Sequence, residues 1–235
     1  MHITVVGHST VLIEAEGQRI VTDPYFGTWG NIAYTRTAPP RVPRETLSDA
    51  DLVLVSHNHW DHVDARYLRL LPEKTPVLAP LWTSGITRLK GGKNVVGLRP
   101  WQRRPFGPIA ITAVPAIHLT LALGFVIEAE GKQVYFAGDT FYGRFMERMG
   151  EQFQIDVALM PVTTFVIPMT VSERGAVRAV HALRPNTVVP VHLDVQPRQP
   201  WMRTGQTPEG FVRRVEKAAM GVQVIIPQAG ERMTF

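Results

Sequence analysis

The stretch SHNHWDHVD, residues 56–64, places three of the chain's eight histidines and two of its aspartates in nine positions. It follows LVLV (52–55), a short apolar run of the kind that forms a buried strand. Loops at the carboxyl ends of buried strands are where layered α/β proteins assemble ligand sites. In extended backbone, positions i and i+2 point to the same side, so His57 and His59 can reach one ion together. If the chain turns near Asp61, then Asp61 and His62 diverge toward a second ion. The pattern H-x-H-x-D-H therefore points to a metal centre rather than to a solvated loop.

Composition limits what surrounds that centre. The 235 residues are 45% hydrophobic and 19% charged, which suits a buried core and excludes a disordered chain. Cysteine is absent, so disulfides are excluded and any metal must be held by His, Asp or Glu. The net charge of +5 invites a nucleic-acid partner. The basic residues are scattered, however, and their longest runs are pairs such as Arg103-Arg104 and Arg213-Arg214. A small-molecule substrate is expected instead, and a homo-oligomer stays open. No apolar run reaches the ~18 residues of a membrane span. MHITVVGHSTVLIE lacks the regions of a signal peptide, so a cytoplasmic protein is expected.

ITVVG, STVLIEA and RIVTDP read as strands around a Gly turn. Residues 25–48, rich in Pro, Thr, Gly and aromatics, read as a lid or a disordered loop. Asp64 can cap a short helix, ARYLRLL. TPVLAP, VVGL and IAITAVP read as strands, and LWTSGITRLK as a helix ended by Gly91-Gly92. Later, IDVALMP, TVVPVH and VQVII read as strands. Thr170 and Glu173 have capping-box spacing before the helix VSERGAVRAVHAL. Thr207-Pro208 opens a last helix, GFVRRVEKAAM. A repeat also stands out: VLIEAEGQRIVTD (11–23) resembles FVIEAEGKQVYFAGD (125–139). Two similar halves and a chance likeness of hairpins are both open, but each copy ends in an aspartate after a strand.

LVLVSHNHWDHVD resembles the signature of the metallo-β-lactamase superfamily. The resemblance implies an α/β fold, a four-layer αββα sandwich of two similar halves, as one domain over 1–235. It implies three further ligands: His118 in VPAIHLT, Asp139 in FAGDT and His192 in VVPVHLD. His57, His59 and His118 would hold one divalent ion, and Asp61, His62 and His192 a second, with Asp139 between them. Zinc suits this nitrogen and oxygen set, as do manganese and iron. The implied chemistry is hydrolysis by a metal-bound hydroxide, oriented by Asp61 as the catalytic residue. Asp23, in VTDP, resembles the family's carboxylate that steadies ligand geometry, with a helix or turn cap as the plain alternative. His8, in GHST, lies outside the ligand pattern, and a supporting place behind the ligands is open to it.

GHSTVLIEAEGQRIVTDP and the short gap of 20 residues between His118 and Asp139 resemble one branch of the superfamily. It includes ascorbate-6-phosphate lactonase-like proteins and N-acyl-phosphatidylethanolamine phospholipase D. Where the phospholipase has a histidine before the late helix, this chain has Met169-Thr170. The expected substrate is a small ester, lactone or phosphodiester, with a nucleic-acid phosphodiester as the alternative. Selectivity is expected from the loops 25–48 and 194–207, with a pocket of Tyr25, Phe26, Trp29, Trp60, Phe141 and Trp201. Tyr34 is a further aromatic of these loops, and Arg36, Arg41, Arg198 and Arg203 beside the aromatics would suit an anionic group.

Overall fold

The computed structural model describes residues 1–218, 220–228 and 230–235. Among them, the strands form two seven-stranded sheets and one two-stranded ribbon. The first sheet runs, in spatial order, β16 (Arg232–Thr234), β1 (His2–Gly7), β2 (Thr10–Ala15), β3 (Gln18–Thr22), β5 (Leu52–Leu54), β6 (Pro76–Pro80) and β7 (Asn94–Leu98). The second runs β15 (Gln223–Val224), β13 (Thr187–Val191), β12 (Val157–Pro161), β11 (Lys132–Phe136), β10 (Leu123–Ala129), β9 (Ile109–Pro115) and β8 (Arg103–Phe106). The ribbon pairs β4 (Tyr34–Arg36) with β14 (Val195–Pro197). The helices are α1 (Ala65–Leu70), α2 (Ser84–Leu89), α3 (Phe145–Gln152), α4 (Glu173–Leu183) and α5 (Pro208–Lys217). No helix among the described residues is long and apolar enough to cross a membrane.

Strand periodicity sorts the side chains into three cores. Ile13, Ile20, Leu52 and Leu54 of the first sheet meet Phe125, Ile127, Phe136 and Leu159 of the second in a central layer. Their neighbours one position along, Leu12, Val21 and Val53, point outward and pack with Tyr67 and Leu68 of α1. On the far side, Val126, Tyr135 and Ala158 pack under Met146 and Met149 of α3, Ala176 and Val180 of α4, and Phe211 of α5. The result is an αββα sandwich. Each fully buried aliphatic or aromatic side chain contributes about 1.5–3 kcal/mol.

The hairpin repeat is a repeat of structure. Ala15 pairs with Gln18, and Ala129 with Lys132, in the same register. Both turns put a non-glycine residue in the left-handed region before a glycine: Glu16 at φ 51° and Gly17 at 70°, Glu130 at 53° and Gly131 at 69°. That backbone matches the right-handed twist of the flanking strands. The two turns also meet. The Glu16 amide donates to Glu130 Oε1 at 2.8 Å, and the Glu130 amide returns the bond to Glu16 Oε1 at 3.2 Å. In each half, three antiparallel strands are followed by three parallel ones: β1-β2-β3 then β5-β6-β7, and β9-β10-β11 then β12-β13-β15.

Several sequence expectations need correction. The cap of α4 is Ser172, whose hydroxyl accepts from the Gly175 amide at 3.2 Å. Thr170 is unavailable because its hydroxyl donates to the Thr163 carbonyl at 3.0 Å. Glu173 instead joins two helices, accepting from the Thr207 amide and from Arg214 Nε. The final strand is β16, beyond VQVII, of which only Gln223–Val224 is strand. The last helix was expected to run through Met220, but α5 ends at Lys217 with Ala218 as its C-cap; Ala219 lies outside the described residues. Both α3 and β8 were missed. No side chain caps α3, and β8 is a short edge strand with two arginines and a proline.

Candidate metal centre

The chemistry-bearing residues gather where strands end. His8 follows β1, Asp23 follows β3, His57 lies just past β5, and His192 follows β13. His118 and Asp139 each lie three residues past β9 and β11. The 56–64 loop leaves β5 extended and then turns, with the amides of His62 and Val63 both donating to the His59 carbonyl at 3.3 Å. That turn separates the ligand pairs.

The structure brings together His57, His59, His118 and Asp139, whose donor atoms lie within 4.8 Å of one another. Asp61, His62 and His192 form a second such set, and His8 joins it. Asp139 stands between the two. Its Oδ1 is 3.4 Å from His62 Nε2 and 3.2 Å from His192 Nε2. Its Oδ2 is 4.0 Å from His57 Nε2 and 3.8 Å from His118 Nε2. One carboxylate thus offers one oxygen to each set.

Hydrogen bonds behind the ligands determine which ring nitrogens are free. Asp23 is fully buried and accepts from the Ser56 amide at 2.6 Å, the Ser56 hydroxyl at 2.5 Å and His62 Nδ1 at 2.6 Å. With its proton given to Asp23, the Ser56 oxygen accepts from His57 Nδ1 at 2.9 Å. Both imidazoles therefore commit Nδ1 to these bonds and turn Nε2 toward the cluster. Those Nε2 atoms, His192 Nε2 and Asp139 Oδ1 are buried without a hydrogen-bond partner. Unpaired buried lone pairs are costly, and a cluster facing one another fits a set of cations. Asp23 was expected either here or at a cap. The structure places it against His62 and Ser56, behind the candidate ligands; the sequence reading did not single out Ser56.

Electrostatics agree with that use. Burial, with His62 next in weight, holds His57 well below 6.5, and burial takes His118 down to about 4. Both are neutral donors at neutral pH. Burial opposes ionisation of Asp139, but His192 and His62 overrule it and keep its carboxyl well below 3.8. His62 differs: burial would lower it, yet Asp139 and Asp23 on either side raise it well above 6.5, so in the metal-free chain its Nε2 keeps a proton that an ion would have to displace.

These directions set a pH dependence for the metal-free chain. Burial lowers His8 to about 3, as it lowers His57 and His118, whereas free histidine titrates at 6.5. The unfolded chain then binds more protons than the native one as pH falls below 6.5, so stability is lost on the acid side. His62 acts oppositely: its contribution is complete below 6.5 and is lost as pH rises through its raised value. Burial likewise lowers His59 and raises Asp23, so four lowered histidines stand against two raised groups, and denaturant midpoints of chelator-treated protein should drop between about pH 6.5 and pH 5. A midpoint that rises over that interval would contradict this arrangement.

A cavity of about 140 Å³ opens onto both sets, reaching His59, Asp61, Asp139 and His192. Tyr34, Trp60, Phe165, Met169 and Val195 complete its wall. Of the six aromatics expected there, only Trp60 is present. Tyr25, Phe26 and Trp29 line a neighbouring hollow of about 470 Å³ beside α1, on the other side of Trp60, with Phe26 packed on Tyr67. Trp201 is 69% exposed, and the Phe141 amide holds the His118 loop through the Ile117 carbonyl at 2.7 Å. A larger hollow of about 780 Å³, near Gln133 and Arg184, does not reach the histidines.

The loop arginines are also differently employed. Arg36 is buried and donates to the carbonyls of Ala38, Tyr25 and Gly27. Arg198 donates to the Asn31 carbonyl, and Arg203 to those of Pro197 and Arg198. Arg41 lines a hollow beside Gly7 that the cavity does not share. Three of the four arginines pin backbone, and none lines the cavity.

The β-lactamase superfamily domain profile matches residues 18–193. The chain belongs to the metallo-β-lactamase superfamily. Within it, the chain is 32% identical to a UPF0173 metal-dependent hydrolase of Opitutus terrae, over 97% of both chains. It therefore also belongs to that group of metal-dependent hydrolases. The solved metallo hydrolase Igni18 of Ignicoccus hospitalis is 26% identical and superposes with a TM-score of 0.79, over 100% of this chain and 97% of that one. An isothiocyanate hydrolase from Delia radicum gut bacteria shares the fold at a TM-score of 0.82 and 19% identity, over 100% and 99% of the two chains. The αββα sandwich and the superfamily resemblance read from LVLVSHNHWDHVD are thus both upheld.

Proposed function

We propose that this member of the superfamily is a dinuclear hydrolase acting on a small ester, lactone or phosphodiester that carries an apolar group. The observation that carries the proposal is Asp139, with one oxygen turned to each set of imidazoles. His57, His59 and His118 would hold one divalent ion; Asp61, His62 and His192 the other. Zinc is the first ion to test, and manganese and iron suit the same donors. Bound there, the ions supply a water of lowered pKa and polarise the carbonyl or phosphoryl oxygen.

The chain's own residues do the rest. Asp23 and Ser56 engage Nδ1 of His62 and His57 and turn their Nε2 toward the cluster. Asp61 reaches the cavity and, despite its burial, is kept ionised below 3.8 by His8 and His62. It can accept a hydrogen bond from the attacking water and orient it. Tyr34, Trp60, Phe165, Met169 and Val195 exclude bulk water and receive the apolar part of the substrate. The proposal favours a small molecule over nucleic acid because arginines of the basic pairs are engaged: Arg103 by Glu128 and Arg214 by Glu173.

Elemental analysis of purified protein should find about two transition-metal ions per chain, as expected for a two-metal hydrolytic site. A panel of esters, lactones and phosphodiesters should show turnover that chelation removes and metal restores. Protein that carries no such ion, and gains no turnover when any is added, overturns the proposal.

A further inference from the structure

We propose that His8 is an eighth ligand, giving the second ion a fourth side chain of its own beside Asp61, His62 and His192. The inference rests on the dinuclear reading and goes beyond it, since the seven-residue pattern leaves His8 out.

His8 is 2% exposed, and neither ring nitrogen has a hydrogen-bond partner. Its Nε2 lies 3.5 Å from Asp61 Oδ2, too far for a good hydrogen bond. A buried imidazole with no partner is costly unless something takes its lone pair. Its donor atom lies within 4.8 Å of those of Asp61, His62 and His192. Ligand atoms on one ion, at ~2.0–2.2 Å from it, lie up to about 4.4 Å apart, so only a small contraction is needed. The His8 and His192 ring centroids are 4.0 Å apart and those of His8 and His62 5.6 Å.

The backbone shows that this placement is enforced. His8 is held at φ 56°, a left-handed conformation that costs a non-glycine residue about 1 kcal/mol or more. Its carbonyl accepts from the His192 amide at 2.9 Å, and its amide donates to Asp194 Oδ2 at 2.8 Å. His192 is itself at φ 64°. Two strained histidines, one ending β1 and one ending β13, are thus tied together with their rings facing the same point.

The consequence is an asymmetric centre. The second ion would have His8, Asp61, His62, His192 and one oxygen of Asp139, which exceeds the four donors of a tetrahedral site. The first would have three histidines and the other oxygen, four donors against the second ion's five.

The test uses full-length protein loaded with cobalt, with wild type measured first. Wild type that binds no ions refutes the dinuclear reading and this inference with it; wild type that binds two allows the variants to decide. His8→Gly suits φ 56° and leaves room for free imidazole. His8→Gln can still hydrogen-bond Asp61 but is a poor ligand. Both should lower the affinity for one ion, and only one, by about 100-fold or more in chelator competition. Both should change the visible cobalt spectrum, and added imidazole should restore His8→Gly. Unchanged affinity and spectrum in both variants overturns the inference. So does a wild-type spectrum in His8→Gln alone, which would make His8 a hydrogen-bonding partner of Asp61. Melting curves with chelator present check that each variant folds. If His8→Gly does not fold, His8→Gln decides alone: loss of one ion supports ligation and retention overturns it.

Discussion

Replacing Asp139 by asparagine is expected to cut bound metal from about two ions per chain to one or none, and hydrolysis by about three decades. The carboxylate directs Oδ1 at His62 and His192 and Oδ2 at His57 and His118. Asparagine keeps the shape but offers one oxygen, and its amino group turns donor hydrogens toward nitrogens that also need an electron-poor partner. On the proposed dinuclear reading, one ion must therefore lose its carboxylate. Lewis-acid stabilisation is worth several kcal/mol, and each decade of rate corresponds to about 1.4 kcal/mol. Metal analysis and initial rates on the same sample check both halves. A variant that keeps two ions and more than about a tenth of the rate would show that Asp139 does not link them.

Asp23→Ala should be the most destabilising single change near the site, at about 3–5 kcal/mol. It leaves the Ser56 amide, the Ser56 hydroxyl and His62 Nδ1 buried without their acceptor. That is a large share of the about 5–15 kcal/mol that holds a typical domain together. Metal affinity should fall with it by about 10–100-fold, because His57 and His62 lose the bonds that fix their tautomer. Asp23→Asn should cost less: it retains an acceptor, and asparagine tolerates the local φ of 31° better than alanine. Urea titration and chelator competition on the three proteins give the order. If alanine and asparagine behave alike, and within about 0.5 kcal/mol of wild type, the network has no orienting role.

Much of this was legible because strand ends and ligand spacing are local properties. The i, i+2 rule foresaw that His57 and His59 would separate from Asp61 and His62, and the His59 turn performs that separation. The hairpin repeat left two matching halves and a chance likeness both open, and the shared register and turns decide for the halves. Ser56 gave no signal, since one serine hydroxyl gains meaning only from the aspartate 33 positions earlier that it meets. The pocket wall was hidden for a similar reason. Aromatic composition singled out Tyr25, Phe26, Trp29, Tyr34 and Trp201 on the two loops; of these tertiary packing brought Tyr34 to the cavity, with Val195 of the second loop, and added Phe165 and Met169 to stand with Trp60. The arginines misled because a sequence displays charge without showing which carbonyls it will pin. The capping-box spacing at Thr170 misled because a loop carbonyl had claimed the hydroxyl.

The ribbon joining β4 to β14 has a further consequence. Thr35 pairs with Gln196 and Tyr34 with Pro197, and the Arg198 amide continues the ladder to the Ala33 carbonyl. Tyr34 and Val195, on opposite strands of that ribbon, both face the cavity. The two stretches of chain that supply this part of the wall, some 160 residues apart, are therefore a single structural part. Grafting one of them from a relative with different tastes would import half a ribbon and strand its edge. Retuning this hydrolase means exchanging both as a matched pair, much as a lock is rekeyed by replacing the whole cylinder.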